Sequence, residues 1–256
     1  MAKLNTERKS KYDSLLKSKK VWTPCAVTAG SLTEGGEDVI HRALSLRVLE
    51  IPVADFINEA CKGDLPSDPS CKDLLESNIV DEDKHDKALN FAADVHTDTA
   101  NYANEAAVIK KHWLELDRHP ILKAVVLERS VFFVMLPLLR ALGDKGLRTI
   151  SGDISRDETV HVATNTLVCS ELGLQSDSSL NRLRKATVAW IVDSLSDKAS
   201  GAGLSDLQQK TLSKKFWLRS SDELYSKGRA SDLSFTRASS MPAFFEASNE
   251  NLPQYA

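Results

Sequence analysis

Two carboxylates, Glu50 and Glu128, fall inside stripes that are otherwise apolar and repeat with the period of an α-helix. From about Glu37 to Ala60 the stripe is Ala43, Leu46, Val53, Ala54 and Ile57. From about Pro120 to Leu142 it is Ile121, Ala124, Val125, Val131, Phe132, Met135 and Leu139. Such a stripe is the face a helix buries. A carboxylate buried there without a partner is strongly destabilising, so each glutamate needs a compensating partner, the alternative for Glu50 being a helix-end or interface carboxylate.

Two further helical segments supply candidates. One runs from about Cys71 to Val108, with a break near Thr97, and carries Glu82-Asp-Lys-His85. The other runs from about Gly152 to Leu172, ends at Gly173, and carries Glu158-Thr-Val-His161. Positions i and i+3 share a helix face, so each pair aims a carboxylate and an imidazole at one spot. Alone, either pair is most simply a surface salt bridge. Across four helices, however, the order Glu, Glu-x-x-His, Glu, Glu-x-x-His is the ligand inventory of a di-metal carboxylate bundle. Hard oxygens with one imidazole per metal favour iron or manganese. Asp38 and Asp55 are the rival acids on the first helix. Asp38 sits near its start and Asp55 on its polar side.

The rest of the chain agrees with an all-α helix bundle. Its 256 residues include only 11 Gly and 8 Pro, too few of the punctuating residues for a many-stranded protein. A formal charge of −3 leaves no basic footprint for nucleic acid or an anionic membrane. The four cysteines, at 25, 61, 71 and 169, form no C-x-x-C pair, which points to a reducing, cytoplasmic setting. The longest apolar run, Val131 to Leu139, is too short to span a bilayer and contains Pro137. Residues 1–36 read as an amphipathic N-terminal arm broken at Trp22-Thr23-Pro24, followed by a loop. Gly63–Ser70 reads as a loop, Lys110–Leu116 as a link, and Gly143 and Gly146 as the stop of the third helix. Ser178–Leu195 and Ser205–Lys227 are further helices around a 196–203 loop. A helical domain over 1–230 and a Ser-rich tail over 231–256 follow.

Several of these residues also carry a family resemblance. Ile154-Ser-Arg-Asp-Glu-Thr-Val-His161 resembles the I-S-R-D-E-x-x-H signature of class I ribonucleotide reductase small subunits, and Val126-Leu-Glu-Arg-Ser-Val-Phe-Phe133 resembles the helix that supplies their third carboxylate. The interval from Glu50 to Glu82 is close to the family's, and Val21-Trp22-Thr23-Pro24 resembles its F-W-x-P element. The resemblance spans about residues 10–175. It implies a ferritin-like fold in which Glu50, Glu82, His85, Glu128, Glu158 and His161 bind two metal ions. Asp157 would link His85 to Trp22 in a radical-transfer path. Phe132, Leu136 and Ile154 would form a dry shell. Phe244-Phe245-Glu246 and Tyr255 resemble the tail with its interfacial redox tyrosine, through which the family binds its catalytic large subunit. A homodimer is expected.

One position departs from the family. The radical-bearing tyrosine lies four residues after the first ligand histidine; here that residue is Leu89. The resemblance then implies a centre that keeps its oxidising equivalent on the metals, Mn/Fe or Mn/Mn, or an alternative tyrosine such as Tyr102. The chain carries no G-x-x-x-x-G-K-[ST] phosphate loop, so nucleotide chemistry is left to the partner. A bundle-type oxidase or N-oxygenase acting directly on a small molecule is the rival reading, favoured by Leu89 and opposed by Trp22, Asp157 and Tyr255. Iron storage is a third, which the tail and the Trp-Pro arm fit poorly.

Overall fold

The computed structural model describes residues 10–197, 204–231 and 233. Its elements are helical throughout: α1 (Lys11–Ser18), α2 (Glu37–Ser45), α3 (Glu50–Ala60), α4 (Pro69–Val95), α5 (Ala103–Glu115), α6 (Pro120–Leu127), α7 (Phe133–Leu142), α8 (Lys145–Glu171), α9 (Ser178–Ile191), α10 (Asp206–Thr211) and α11 (Lys214–Lys227). No strand occurs among the described residues, only an isolated bridge between Ser196 and Ser213. No described helix is long and apolar enough to cross a membrane.

Four rods form the core. The first is α2 and α3, joined without a break by a 3-10 turn over Leu46–Leu49; the third is α6 and α7, joined by a π-helical turn over Glu128–Phe132. The first rod packs on α4 and on the third rod, and α8 packs on α4, α6 and α7, which closes the ring. Since α2 meets α7 while α3 meets α6, the first and third rods run antiparallel. The apolar stripes read from the sequence are the buried ones: Ala43, Leu46, Val53 and Ile57 from the first rod, and Ile121, Ala124, Val131, Phe132, Met135 and Leu139 from the third, are all fully enclosed. Outside the ring, α9 and α11 cover the π turn, and α1 lies against α4 and α8. The N-terminal arm is therefore docked, with Tyr12 buried and its hydroxyl donating to Glu171 at 3.0 Å.

Local chemistry sets the ends of the rods. Asp68 caps α4, accepting from the Ser70 amide at 3.0 Å with Pro69 in the first turn, where its missing N–H costs nothing. The break expected near Thr97 falls at His96, and the 3-10 turn Thr97–Tyr102 leads into α5. Three expectations need correction. The helical pattern continues through the anticipated link, so α5 extends to Glu115. The pair Gly143 and Gly146 does not make a long stop: Gly143 ends α7, where a Cβ would lie 2.3 Å from the Leu139 carbonyl. Asp144 then restarts the chain at once by accepting from the Leu147 amide, so α8 begins at Lys145 rather than Gly152.

The third correction concerns the single helix expected over Pro120–Leu142. Pro137 has no N–H to donate to the Phe133 carbonyl four residues back. Just before it the chain takes an extra residue into the turn, and the Phe133 amide reaches the Glu128 carbonyl. Ser130 donates to the Val126 carbonyl at 2.7 Å and Ser221 donates to the Ser130 carbonyl at 2.7 Å, which fixes the widened turn. Such π turns often mark functional positions, and this one begins at Glu128.

Candidate metal centre

The ring brings all six sequence-predicted ligands to one buried place. Glu50 opens α3, Glu82 and His85 lie mid-way along α4, Glu128 opens the π turn, and Glu158 and His161 lie mid-way along α8; every one has 0% exposure. Glu82, His85, Glu158 and His161 each offer a ligand atom within 4.8 Å of the others, an arrangement that can hold a metal ion. Both imidazoles turn Nδ1 inward. His85 Nδ1 is 3.4 Å from Glu82, 3.3 Å from Glu158 and 3.7 Å from Glu50. His161 Nδ1 is 2.9 Å from Glu82, 3.9 Å from Glu158 and 4.0 Å from Glu128. Glu82 and Glu158 thus lie between the two rings, with Glu50 at the His85 end and Glu128 at the His161 end. The rival acids stay outside, since Asp38 and Asp55 are exposed.

These groups are not satisfied by the protein. Both carboxylate oxygens of Glu50, Glu82 and Glu158 and both inward Nδ1 atoms are buried with no partner in hydrogen-bond geometry. Orphaned buried oxygens and imidazole nitrogens at these spacings are the donor set a divalent cation completes. The proton affinities reflect the same strain. Burial pushes Glu50 and Glu128 well above the usual carboxylate range, and burial together with Glu82 raises Glu158. Burial also works against the charge on Glu82, yet the two imidazoles draw it down to about 2. Burial opposes a charged His161, but Glu82 and Asp81 hold it up at about 10; His85 is likewise raised, mainly through Asp157 and Glu158.

The outward ring nitrogens are fixed by a second layer. His85 Nε2 is 3.3 Å from Asp157, and the same Asp157 oxygen accepts from the Trp22 indole at 2.6 Å. Trp22 is half-buried and follows Val21, which is fully exposed, so a hydrogen-bonded chain links the cluster to the surface of the arm. The sequence reading missed the matching partner of the other histidine. His161 Nε2 is 3.2 Å from Asp81, which is ion-paired to both Lys19 and Lys84. Each aspartate immediately precedes one motif's glutamate and serves the other motif's histidine. Asp-Glu-x-x-His occurs twice, at 81–85 and 157–161, and that repetition was the available signal. A ligating imidazole oriented by a carboxylate through its other nitrogen is the usual support of a metal site.

Asn165 was also missed. It is one helical turn beyond His161, is fully buried, and donates its amide to both Glu128 oxygens at 3.1 and 2.8 Å. Around the cluster Phe132, Leu136, Ile154 and Leu89 are fully buried. Tyr102 lies past the end of α4, half-buried between Arg42, 4.8 Å from its ring, and the edge of Trp190. Phe244, Phe245, Glu246 and Tyr255 lie outside the described residues. No family model, curated protein or solved structure matches the chain.

Proposed function

We propose that this chain is the small, radical-generating subunit of a class I ribonucleotide reductase, a ferritin-like bundle acting in deoxyribonucleotide synthesis for DNA replication. Glu50, Glu82, His85, Glu128, Glu158 and His161 would together hold two metal ions. Bound iron or manganese, as Mn/Fe or Mn/Mn, would supply a one-electron oxidant. Asp157 keeps His85 in the tautomer that presents Nδ1 inward, and Trp22 donates its indole proton to Asp157. Phe132, Leu136 and Ile154 exclude water from the cluster. The tail would bind the large subunit, with Tyr255 as the last relay, and the subunit would act as a cytoplasmic homodimer.

The observation that carries this reading is the coincidence of six unexposed ligands with the Trp22–Asp157–His85 hydrogen-bonded chain. A purely structural cluster has no use for a link from a buried imidazole to a surface indole. The test is reconstitution under air with Mn, Fe or both, followed by metal analysis, electron paramagnetic resonance and ribonucleotide reduction with the cognate large subunit. Two metals per chain and turnover that Tyr255→Phe abolishes, with metal content and subunit binding retained, support the reading. Full turnover by Tyr255→Phe removes the relay role, and failure to retain metal removes the reading itself.

The rival is a di-metal oxidase or N-oxygenase that oxidises a small molecule at the centre. Leu89 favours it, because this buried side chain next to the cluster cannot store a radical. Oxygen-dependent turnover of a small molecule without any partner subunit would select it.

A further inference from the structure

A cavity of about 680 Å³ opens on a neighbouring face of α8, away from the metal cluster, between α7, α8 and the end of α11. Three guanidinium groups, Arg129, Arg140 and Arg229, and the hydroxyls of Ser155, Thr159 and Ser231 line it, and among the described residues no carboxylate does. The three arginines are not equivalent. Arg129 is tied down, donating from Nε and Nη2 to the carbonyls of Leu224 and Tyr225 at 2.9 Å each, where it caps the end of α11. Arg229 is exposed at the rim. Arg140 donates from Nη1 to Ser155 at 2.9 Å, but its Nε is buried without a partner.

Burial lowers Arg140 to about 10, and no carboxylate among the described residues offsets that. At neutral pH it remains a largely desolvated cation that no carboxylate among the described residues compensates. The remaining wall includes Phe133, Pro137 and Leu224, and the volume lies within the range of small-molecule sites. We infer that this cavity binds a small organic oxyanion, a phosphate- or carboxylate-bearing molecule with an apolar body, whose anionic head is held by Arg140 and Arg229. The two Nη groups of Arg140 form the planar fork that receives two oxygens of one head group, while Phe133 and Leu224 take the apolar part. This site stands independently of the metal centre and of the function proposed for it.

The test is calorimetric titration of the full chain at fixed ionic strength with phenyl phosphate, benzoate and, as a neutral control, phenol. One molecule of phenyl phosphate or benzoate should bind per chain with a Kd below about 1 mM, and phenol should not. Whichever head group binds tighter distinguishes a phosphate from a carboxylate ligand. Arg140→Met should weaken binding at least ~10-fold, and Arg140→Lys should fall between, since it keeps the charge and loses the fork. Arg140→Met should also melt no lower than the parent, because it removes an unpaired buried cation; Arg229→Ser, at the exposed rim, gives a second reading should that variant fold poorly. Phenol binding as tightly as the anions, affinity unchanged in the Arg140 and Arg229 variants, or no anion binding up to about 10 mM would overturn the inference.

Discussion

Asp81→Asn separates support of a metal ligand from support of the fold. Asp81 has 5% side-chain exposure and accepts from three cationic or ring donors, His161 Nε2, Lys19 and Lys84. Burial alone would raise its pKa, but those three partners hold it well below the usual range, so it is ionised at any working pH. Asparagine keeps the shape and an acceptor oxygen but removes the charge. Lys19, with 10% side-chain exposure, then retains only the Asn78 carbonyl at 2.9 Å. Breaking a buried pair from one side costs about 3–5 kcal/mol. Because Lys84 is 25% exposed and turns to water, and the amide still accepts, we expect the lower end, about 3 kcal/mol, in urea unfolding of the metal-free chain. His161 also loses the carboxylate that sets its tautomer, and loss of such a partner lowers metal affinity by about 10–100-fold. The double variant Asp81→Asn/Lys19→Met should recover most of the stability, since the orphaned ammonium is gone, and none of the affinity in a chelator competition. Recovery of metal affinity along with stability would refute the positioning argument and leave Asp81 as a salt-bridge residue.

Three further outcomes follow from the cluster. Glu158→Ala and His161→Ala should each lose at least one metal by elemental analysis while keeping the far-ultraviolet helical signal, because the enclosing stripes are untouched; retention of two metals per chain in both would remove the site. Leu89 next to His85 predicts that the oxidised, metal-loaded protein shows a metal-centred spin signal or none; a sharp tyrosyl signal lost in Tyr102→Phe would place storage elsewhere. In the metal-free chain, His161 has a pKa of about 10 against an unfolded value of 6.5, so its contribution is full below about pH 6.5 and lost as pH rises through about 10. Glu82, at about 2 against 4.5, contributes above about pH 4.5 and loses it as pH falls through about 2. Glu50, Glu128 and Glu158, which burial raises, add stability that is lost as pH climbs above the usual carboxylate range. The metal-free protein should therefore be most stable near the acidic end of the window from about pH 4.5 to 6.5, and metal addition near pH 7 should release protons into a weakly buffered solution. A pH-independent stability, or metal uptake without proton release, would show that these groups carry no shared protons.

The ligand-bearing parts of the fold were legible because their signal is periodic. Glu50 and Glu128 stand out only against the apolar stripes around them, and the same stripes dictate which helix faces meet. What escaped the sequence reading depends on exceptions to periodicity or on distant contacts. Asp144 restarts a helix inside a stretch that Gly143 and Gly146 make look like a loop, and its cap is visible only once Leu147 turns back onto it. The π turn over Glu128–Phe132 interrupts a stripe whose apolar period continues through it, so nothing in the local pattern marks it. Asn165 sits one turn past His161, but an asparagine on a helix face has many bland uses and does not stand out. Lys19 had no mark at all: within a basic arm, one lysine differs from its neighbours only through its partners, Asp81 and Asn78.

The two Asp-Glu-x-x-His segments interlock rather than act side by side. Glu82 lies closer to His161 than to its own His85, at 2.9 against 3.4 Å, and Glu158 lies closer to His85 than to its own His161, at 3.3 against 3.9 Å. The aspartates cross in the same sense, Asp81 to His161 and Asp157 to His85. Neither α4 nor α8 therefore carries a complete half of the centre, and a shift of one helix along the other would break all four crossing contacts at once. The N-terminal arm bears on both crossings within four residues, through Lys19 on Asp81 and Trp22 on Asp157. That one short segment, docked by buried Tyr12 against α8, fixes the outer side of both histidines. The register of α4 against α8, the tautomers of the two imidazoles and the seating of the arm are thus a single structural condition. An arm displaced from α8 would take Lys19 from Asp81 and the Trp22 indole from Asp157 together, leaving each aspartate with its imidazole but without the donor that braces it from outside.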